Sequence, residues 1–309
     1  MGKANLASVG TPGYRGFLNS QYWLPGAVGN VYHVSSVTGS SSGPGWTPET
    51  AFATIAQAIA VATANNGDVV LVMPDHNEGL GNAQITVGVA GLTIRGQKSG
   101  NKRPRIDFDH ANASIDITAS GVVIEGVDLL PSVTGVLVGI DVNTAVTDTV
   151  IRDVRTLPGE DGSGVDEFAK TVDIKAGCTR TTVEGCEFTQ HASAAGVISC
   201  VALTGASDMV VVRRNKMWTA GVGLVAPING DTTLSTRVVI EGNVLTTDAE
   251  PGVELLTGTT GVIRENDIFG NLATIASAIV ADGCALFRNQ YVEVGDEAGV
   301  TIGTASVDD

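Results

Sequence analysis

Short apolar runs broken by single charges recur along most of this chain, and the recurrence has a period. The clearest unit is Val238-Val239-Ile240-Glu241-Gly242-Asn243-Val244-Leu245. It holds two or three apolar residues, a charge, a small or charged residue, an Asn, and one more apolar residue after a spacer. The anchor of this unit is Ile240; related units have theirs at Val212, Ile263 and Leu286, and earlier ones, with the Asn replaced, at Ile94, Ile124, Ile151 and Val183. These anchors are separated by 30, 27, 32, 29, 28, 23 and 23 residues. A repeat of that length with one strand-like rung per copy predicts a solenoid. A second strand is predicted before each rung, at Ile115-Asp116-Ile117, Ile140-Asp141-Val142, Val172-Asp173-Ile174, Val201-Ala202-Leu203 and Val253-Glu254-Leu255. Alternation turns the first and third residue of each inward and the middle one outward. Eight or nine coils result, and seven steps of ~4.8 Å give a shaft of about 34 Å between the first and last anchors.

Stacking lets each offset from the anchor be read as a column. Three residues past it stand Gln97, Val127, Val154, Cys186, Asn215, Asn243, Asn266 and Asn289, which predicts an amide ladder confined to the last four coils. One past it stand Arg95, Glu125, Arg152, Glu184, Arg213, Glu241 and Arg264, seven positions of alternating sign. Each charge then has opposite charges above and below, and a slip of one coil stacks like on like. One before the anchor, and also outward, lie Val123, Val150, Val211, Val239 and Val262 among eight positions. β-Propensity alone explains valine in a strand; the alternative is a contact face.

The flanks differ. Residues 1–30 have no period and carry Tyr14, Phe17, Tyr22 and Trp23, so they read as an arm that straps the solenoid or attaches a partner. In 31–67, Val31-Tyr32-His33-Val34 predicts a strand. Thr47, Pro48 and Glu49 predict a helix start, and Phe52, Ile55, Ile59 and Ala62 give it one apolar stripe before Asn65-Asn66-Gly67 ends it. The apolar strand 68–73 opens an array expected to run to 292, and 293–309 is a C-terminal cap or acidic tail.

Val-Tyr-His-Val, the Ser/Gly loop, Trp-Thr-Pro-Glu-Thr-Ala-Phe and Gly-Asp-Val-Val-Leu-Val-Met-Pro together resemble the opening of a pectin-lyase-like right-handed parallel β-helix. That resemblance implies an all-β, single-stranded solenoid whose N-terminal end is plugged by an amphipathic helix. The plug has a physical reason, because a solenoid end exposes both core and strand edge. Residues 31–100 carry the motif resemblance and the rest follows the repeat grammar.

Composition narrows the functions. A net charge of −15 excludes a nucleic-acid binder. The first residues have no apolar signal core, and no apolar run approaches a membrane span, so no membrane partner and no signal-peptide export are expected. Cys178, Cys186, Cys200 and Cys284 form no CxxC pair, and His33, His76, His110 and His191 are scattered, so buried thiols and structural histidines are expected. Gly126, Gly185 and Gly242 read as bend glycines, and no phosphate-binding loop appears.

For chemistry, Asp116, Asp141 and Asp173 are the best candidates. Three carboxylates ~5 Å apart could bind Ca²⁺ or divide acid and base roles, but no Arg or Lys shares their column, and a solvated acidic stripe is the plainer reading. The catalytic constellation of polygalacturonases is absent, so no cofactor and no enzyme activity are expected. The chain resembles the β-helical proteins of tailed phages. This implies a virion structural protein, in head decoration, tail or fibre, assembled in the host cytoplasm as a side-by-side homotrimer. The arm would then reach capsid or tail proteins, and a host glycan is a further partner. The alternatives are a tailspike-like polysaccharide lyase or hydrolase acting through the three aspartates, or a non-catalytic glycan-binding module.

Overall fold

The computed structural model describes residues 29–157, 166–192, 199–221, 226–247, 250–270, 275–293 and 302–305. The chain winds as a right-handed parallel β-helix, passing through three sheets once per coil. Sheet A has ten strands: Val31–Val34, Val69–Val72, Thr93–Gly96, Val123–Glu125, Val150–Arg152, Thr182–Glu184, Val211–Arg213, Val238–Glu241, Gly261–Arg264 and Cys284–Phe287. Sheet B also has ten, from Asn77–Gly79 through Arg105–Phe108, Asp128–Pro131, Arg155–Thr156, Glu187–Ala192, Lys216–Gly221, Val244–Thr246 and Asp267–Gly270 to Asn289–Glu293 and Ile302–Ala305. Sheet C has eight: Gln84–Val87, Ser114–Ile117, Ile140–Val142, Lys170–Ile174, Ser199–Leu203, Ile228–Gly230, Val253–Leu255 and Ile279–Val280.

Each coil therefore has three strands, where the sequence pattern suggested two. The repeating unit is not one strand: its first half lies in sheet A and its last apolar residue lies in sheet B. The turn between them is made two residues past the anchor. Gly126, Asp153, Gly185, Arg214, Gly242, Glu265 and Arg288 all have left-handed φ there, between +50° and +74°. A left-handed residue reverses the local curl in a single step, so the alternating pattern runs through the corner and looks continuous.

Inward residues of the three sheets form one apolar core running the length of the shaft, with Ile94, Ile124, Ile151, Val183, Val212, Ile240 and Ile263 as one of its columns. Asn215, Asn243, Asn266 and Asn289 lie at the A–B corner, all buried. Each Nδ2 of the first three donates to Oδ1 of the next coil's Asn, at 3.0, 2.9 and 2.9 Å. The same Oδ1 atoms accept the backbone N–H of the preceding Asn. Asn215 Oδ1 takes the Cys186 N–H at 2.9 Å, which ends the ladder on a backbone group.

The N-terminal plug is shorter than the apolar stripe suggests. Pro48–Thr50 is a 3-10 turn, and the α-helix, α1, is Ile55–Val61 with Thr54 as its N-cap. Phe52 breaks the stripe because its N–H donates to His33 and its carbonyl accepts from Ser35, both at 2.8–2.9 Å, which pulls it into an extended bridge. From α1, Ile55, Ala58 and Ile59 close the end of the core. Glu78 holds α1 by accepting the Ile55 N–H at 2.9 Å. At the other end, Ile302–Ala305 pairs antiparallel with Asn289–Glu293 and covers the last edge of sheet B.

Candidate functional site

Outward residues of a parallel stack face copies of their own column at about 4.8 Å, so each face has a charge sequence of its own. On sheet A, successive strands align Arg95, Glu125, Arg152, Glu184, Arg213, Glu241 and Arg264. Glu125 is gripped from both sides, by Arg95 and Arg152. Beyond it the contacts fall into pairs, Arg213 with Glu184 at 2.6 Å and Arg264 with Glu241 at 2.6 Å. The valine column beside them, Val123, Val150, Val211, Val239 and Val262, is half-buried. Tyr14, Phe17, Tyr22 and Trp23 lie outside the described residues.

Sheet B carries a second ladder, which the column reading of the sequence missed. Register aligns Arg105, Asp128, Arg155, Glu187 and Lys216. Arg155 makes a two-pronged contact with Asp128, at 3.0 and 2.7 Å. Arg103 joins from the preceding loop, 2.7 Å from Asp128 and 3.0 Å from Asp153. From Arg95 to Arg213 the signs run in phase with sheet A, so a coil with Arg on one face has Arg or Lys on the other; the Glu241 and Arg264 coils carry Val244 and Asp267 on sheet B instead. Shorter pairs mark the corner before sheet A. There the Arg180 guanidinium holds the Asp148 carboxyl down to about 2, and Arg237 does the same for Asp208.

Sheet C behaves differently. Asp116, Asp141 and Asp173 occupy one column on three consecutive strands, Cα partner to Cα partner. Thr86 precedes them, and Ala202, Asn229 and Glu254 follow. No cation interrupts the column, but four neighbours reach into it. Ser114 Oγ donates to Asp116 at 2.5 Å, and Thr204 Oγ1 donates to Asp173 at 2.5 Å. Lys170 Nζ lies 3.1 Å from Asp173, and Lys175 donates to Asp141. Lys170 begins the strand and Lys175 follows its last residue, so each approaches the column from the side.

Asp141 is the odd member. Like Asp173 it is buried, but its Oδ1 has no hydrogen-bond partner among the described residues. Burial raises its carboxyl above the ordinary carboxylate range, and the charges of Asp173 and Asp116 add to this against the opposing pull of Lys175. Beside it runs a groove of about 480 Å³ lined by Asn82, Gln84, Ala111, Asn112, Ala113, Ser114, Leu137, Val138 and Asp141. Amide and hydroxyl groups with one poised carboxyl suit a polyhydroxylated ligand. They do not suit Ca²⁺: the stack keeps the three carboxylates side by side rather than around a point. Among the described residues, no three His, Cys, Asp or Glu side chains are placed to hold a metal ion.

The remaining candidates take no part in such a site. Cys186 is in the core with its thiol pushed up to about 12 by burial; Cys178 and Cys200 are also buried, and Cys284 is partly so. His33 and His76 are buried in the plug region, where His76 Nε2 meets Glu78 at 2.9 Å. No described helix is long and apolar enough to cross a membrane.

No known protein family matches the chain, and no curated protein does. Solved structures do share the fold. A Geobacillus virus E2 protein, ORF18, aligns with a TM-score of 0.53 at 11% identity, over 93% of this chain and 64% of its own. This chain thus spans a little under two thirds of that protein's length. The tailspike of E. coli bacteriophage HK620, solved with a pentasaccharide, aligns at 0.38 and 14% identity over 77% and 52% of the two chains. A rhamnogalacturonan lyase aligns at 0.37 and 13% identity over 89% and 79%. At these identities the likeness is one of fold: the right-handed parallel β-helix.

Proposed function

We propose that this chain is a structural, non-catalytic component of a tailed-phage particle, a stiff β-helical element of its head decoration, tail or fibre. One observation carries the reading. The outward charges of sheet A alternate in sign and pair from coil to coil, those of sheet B alternate in the same phase with Arg155 paired to Asp128, and the corner between the sheets is closed by the Asn ladder. Such a surface holds the coils in register and leaves few groups for chemistry. The fold shared with the Geobacillus virus protein supports the setting. The half-buried valine stripe on sheet A is the surface we assign to a homotrimer, with the 1–30 arm reaching a capsid or tail partner. Antibodies raised against the purified chain are expected to decorate intact particles, and its mass in solution is expected to be that of a trimer. Unlabelled particles would remove the structural reading.

A second reading, a polysaccharide hydrolase or lyase, is favoured by the raised carboxyl of Asp141 beside its polar groove. It is tested by incubating the chain with host capsular or cell-wall polysaccharide. The structural reading expects no cleavage. Turnover that disappears in Asp141→Ala establishes the enzyme instead.

A further inference from the structure

The two ends of sheet A are finished differently. At the N-terminal end the outer edge of Val31–Val34 is occupied: the His33 N–H donates to Gly45, the Ser35 N–H to Phe52, and the Phe52 N–H back to His33, at 2.8–2.9 Å. At the C-terminal end, Cys284–Phe287 pairs with Gly261–Arg264 on one side, and no described residue pairs with its outer edge. The core is open there as well. Inward Cys284 and Leu286 are partly exposed, whereas Ile240 and Ile263, which precede Leu286 in its column, are fully buried. The outward position that carries Arg or Glu from Arg95 to Arg264 here carries Phe287, 47% exposed.

We propose that this edge pairs with the same edge of a second copy, joining two shafts end to end about a two-fold axis. An axis normal to the sheet makes the new pair antiparallel and keeps inward residues facing inward. With the axis through Ala285, Leu286 of each copy lies opposite Cys284 of the other, and the two side chains complete the open core layer. Phe287 then lies over Gly283, where the missing side chain leaves room for the ring. Arg288 of each copy falls opposite Asp282 of the other, giving two cross-strand ion pairs. Neither charge is firmly held within its own copy: Arg288, 84% exposed, stays 3.9 Å from Glu265, and the exposed Asp282 accepts a 3.4 Å bond from Thr257 Oγ1. Moving the centre to either neighbouring residue sets Arg288 against Cys284 or Val280 and loses both ion pairs. The ends match in outline too. Among the described residues, sheet B runs one strand past this edge, to Ile302–Ala305, and sheet C stops one strand short of it, at Ile279–Val280. The axis sets sheet B of one copy against sheet C of the other, so each step up meets a step down. Because the plug occupies the opposite end, the contact closes on two copies and builds no filament. It does not depend on catalysis or on the trimer: the assembly has six copies with that trimer and two without it.

The test is the mass of the full chain in solution, by light scattering after gel filtration at rising concentration. An even number of copies is expected. Arg288→Asp and Asp282→Arg, each alone, set like charges against each other and are expected to weaken the end contact about tenfold or more, halving the mass. An equimolar mixture of the two variants re-forms both ion pairs and is expected to recover it. Ala285→Cys in a Cys284→Ala background is expected to cross-link copies in pairs on mild oxidation, since the two thiols face each other across the axis. Thermal unfolding of each variant identifies any that fails to fold, and if a charge variant does, the cross-link still reads the contact. The proposal is overturned if only one or three copies are found, if the folded single charge variants keep the full mass, if their mixture does not recover it, or if oxidation yields no cross-linked pairs.

Discussion

In the three coils where sheet A stacks Arg95, Glu125 and Arg152, sheet C stacks Asp116, Asp141 and Asp173. The backbone geometry is the same, with parallel strands about 4.8 Å apart and each side chain facing its own column. On sheet A, Glu125 is held by arginines from above and below. On sheet C, Asp141 has carboxylates above and below and is held by Lys175 from the side. A column of alternating sign stabilises itself. A column of one sign needs burial, hydroxyls and lysines from neighbouring columns to offset it. Nothing in the fold requires that second arrangement, since the same coils show the first. Local rules broken amid consistency mark the face where function is to be sought.

The over-determined side is the easier one to break. Asn243 is fully buried, donates to Asn266 and to the Val212 carbonyl, and accepts from Asn215. Asn243→Ala strips partners from buried amides in the coils on either side. It is expected to cost about 3 kcal/mol or more, read as a shift in the urea midpoint at unchanged slope. Reversing Glu125 comes next. Glu125→Lys puts three cations on successive rungs and is expected to cost about 2 kcal/mol. Pairing it with Arg152→Glu, which restores the contact on that side, is expected to return part of the loss. A double mutant no better than the sum of its parts means that the ladder does not act as a unit.

How much of this was legible in the sequence depends on reach. The Asn column and the sheet A ladder each sit at a constant offset from an apolar anchor, so a period finds them, and the three aspartates each stand between two apolar strand residues, so alternation finds them. The sheet B ladder sits at a constant offset too, four past the anchor from Asp128 onward. The left-handed residue at the corner hides it, because one pattern there runs across two sheets. The ligands of the acidic column were not legible: Lys170 and Lys175 belong to other columns, and flexible side chains bring them in. The apolar stripe places the start of α1 too early, because two backbone hydrogen bonds at Phe52 outweigh its position in that stripe. Ile228-Asn229-Gly230 escaped because one apolar residue in three gives no alternation to detect, although it pairs with its neighbours as the other sheet C strands do.

On sheet C the sharpest lever is the lysine. Lys175→Met keeps most of the aliphatic stem and removes the ammonium that donates to Asp141. With Asp116 and Asp173 still in register, the expected cost at neutral pH is about 1 kcal/mol. Most of it should disappear in acid, where Asp141 is protonated and no longer needs the ammonium. A pH-independent loss would assign the effect to packing.

The smallest expected effect separates the two faces by sign. Asp141 titrates above its unfolded value, so the folded chain holds that proton more readily than the unfolded chain does. Its contribution to stability is therefore fully present below the unfolded value of about 3.9 and is lost as pH rises through the folded value. At neutral pH the charged carboxylate is a net cost that the Lys175 contact does not cancel. Asp141→Asn has nearly the same shape and no charge. It is expected to stabilise the chain at pH 7 by up to about 1 kcal/mol, with the advantage shrinking as the pH falls toward 4. The same carboxylate-to-amide change on sheet A, Glu125→Gln, takes a charge away from two arginines and is expected to destabilise at pH 7. If both substitutions lower the neutral-pH urea midpoint, Asp141 is held as firmly as Glu125, and sheet C loses its claim to be the face under strain.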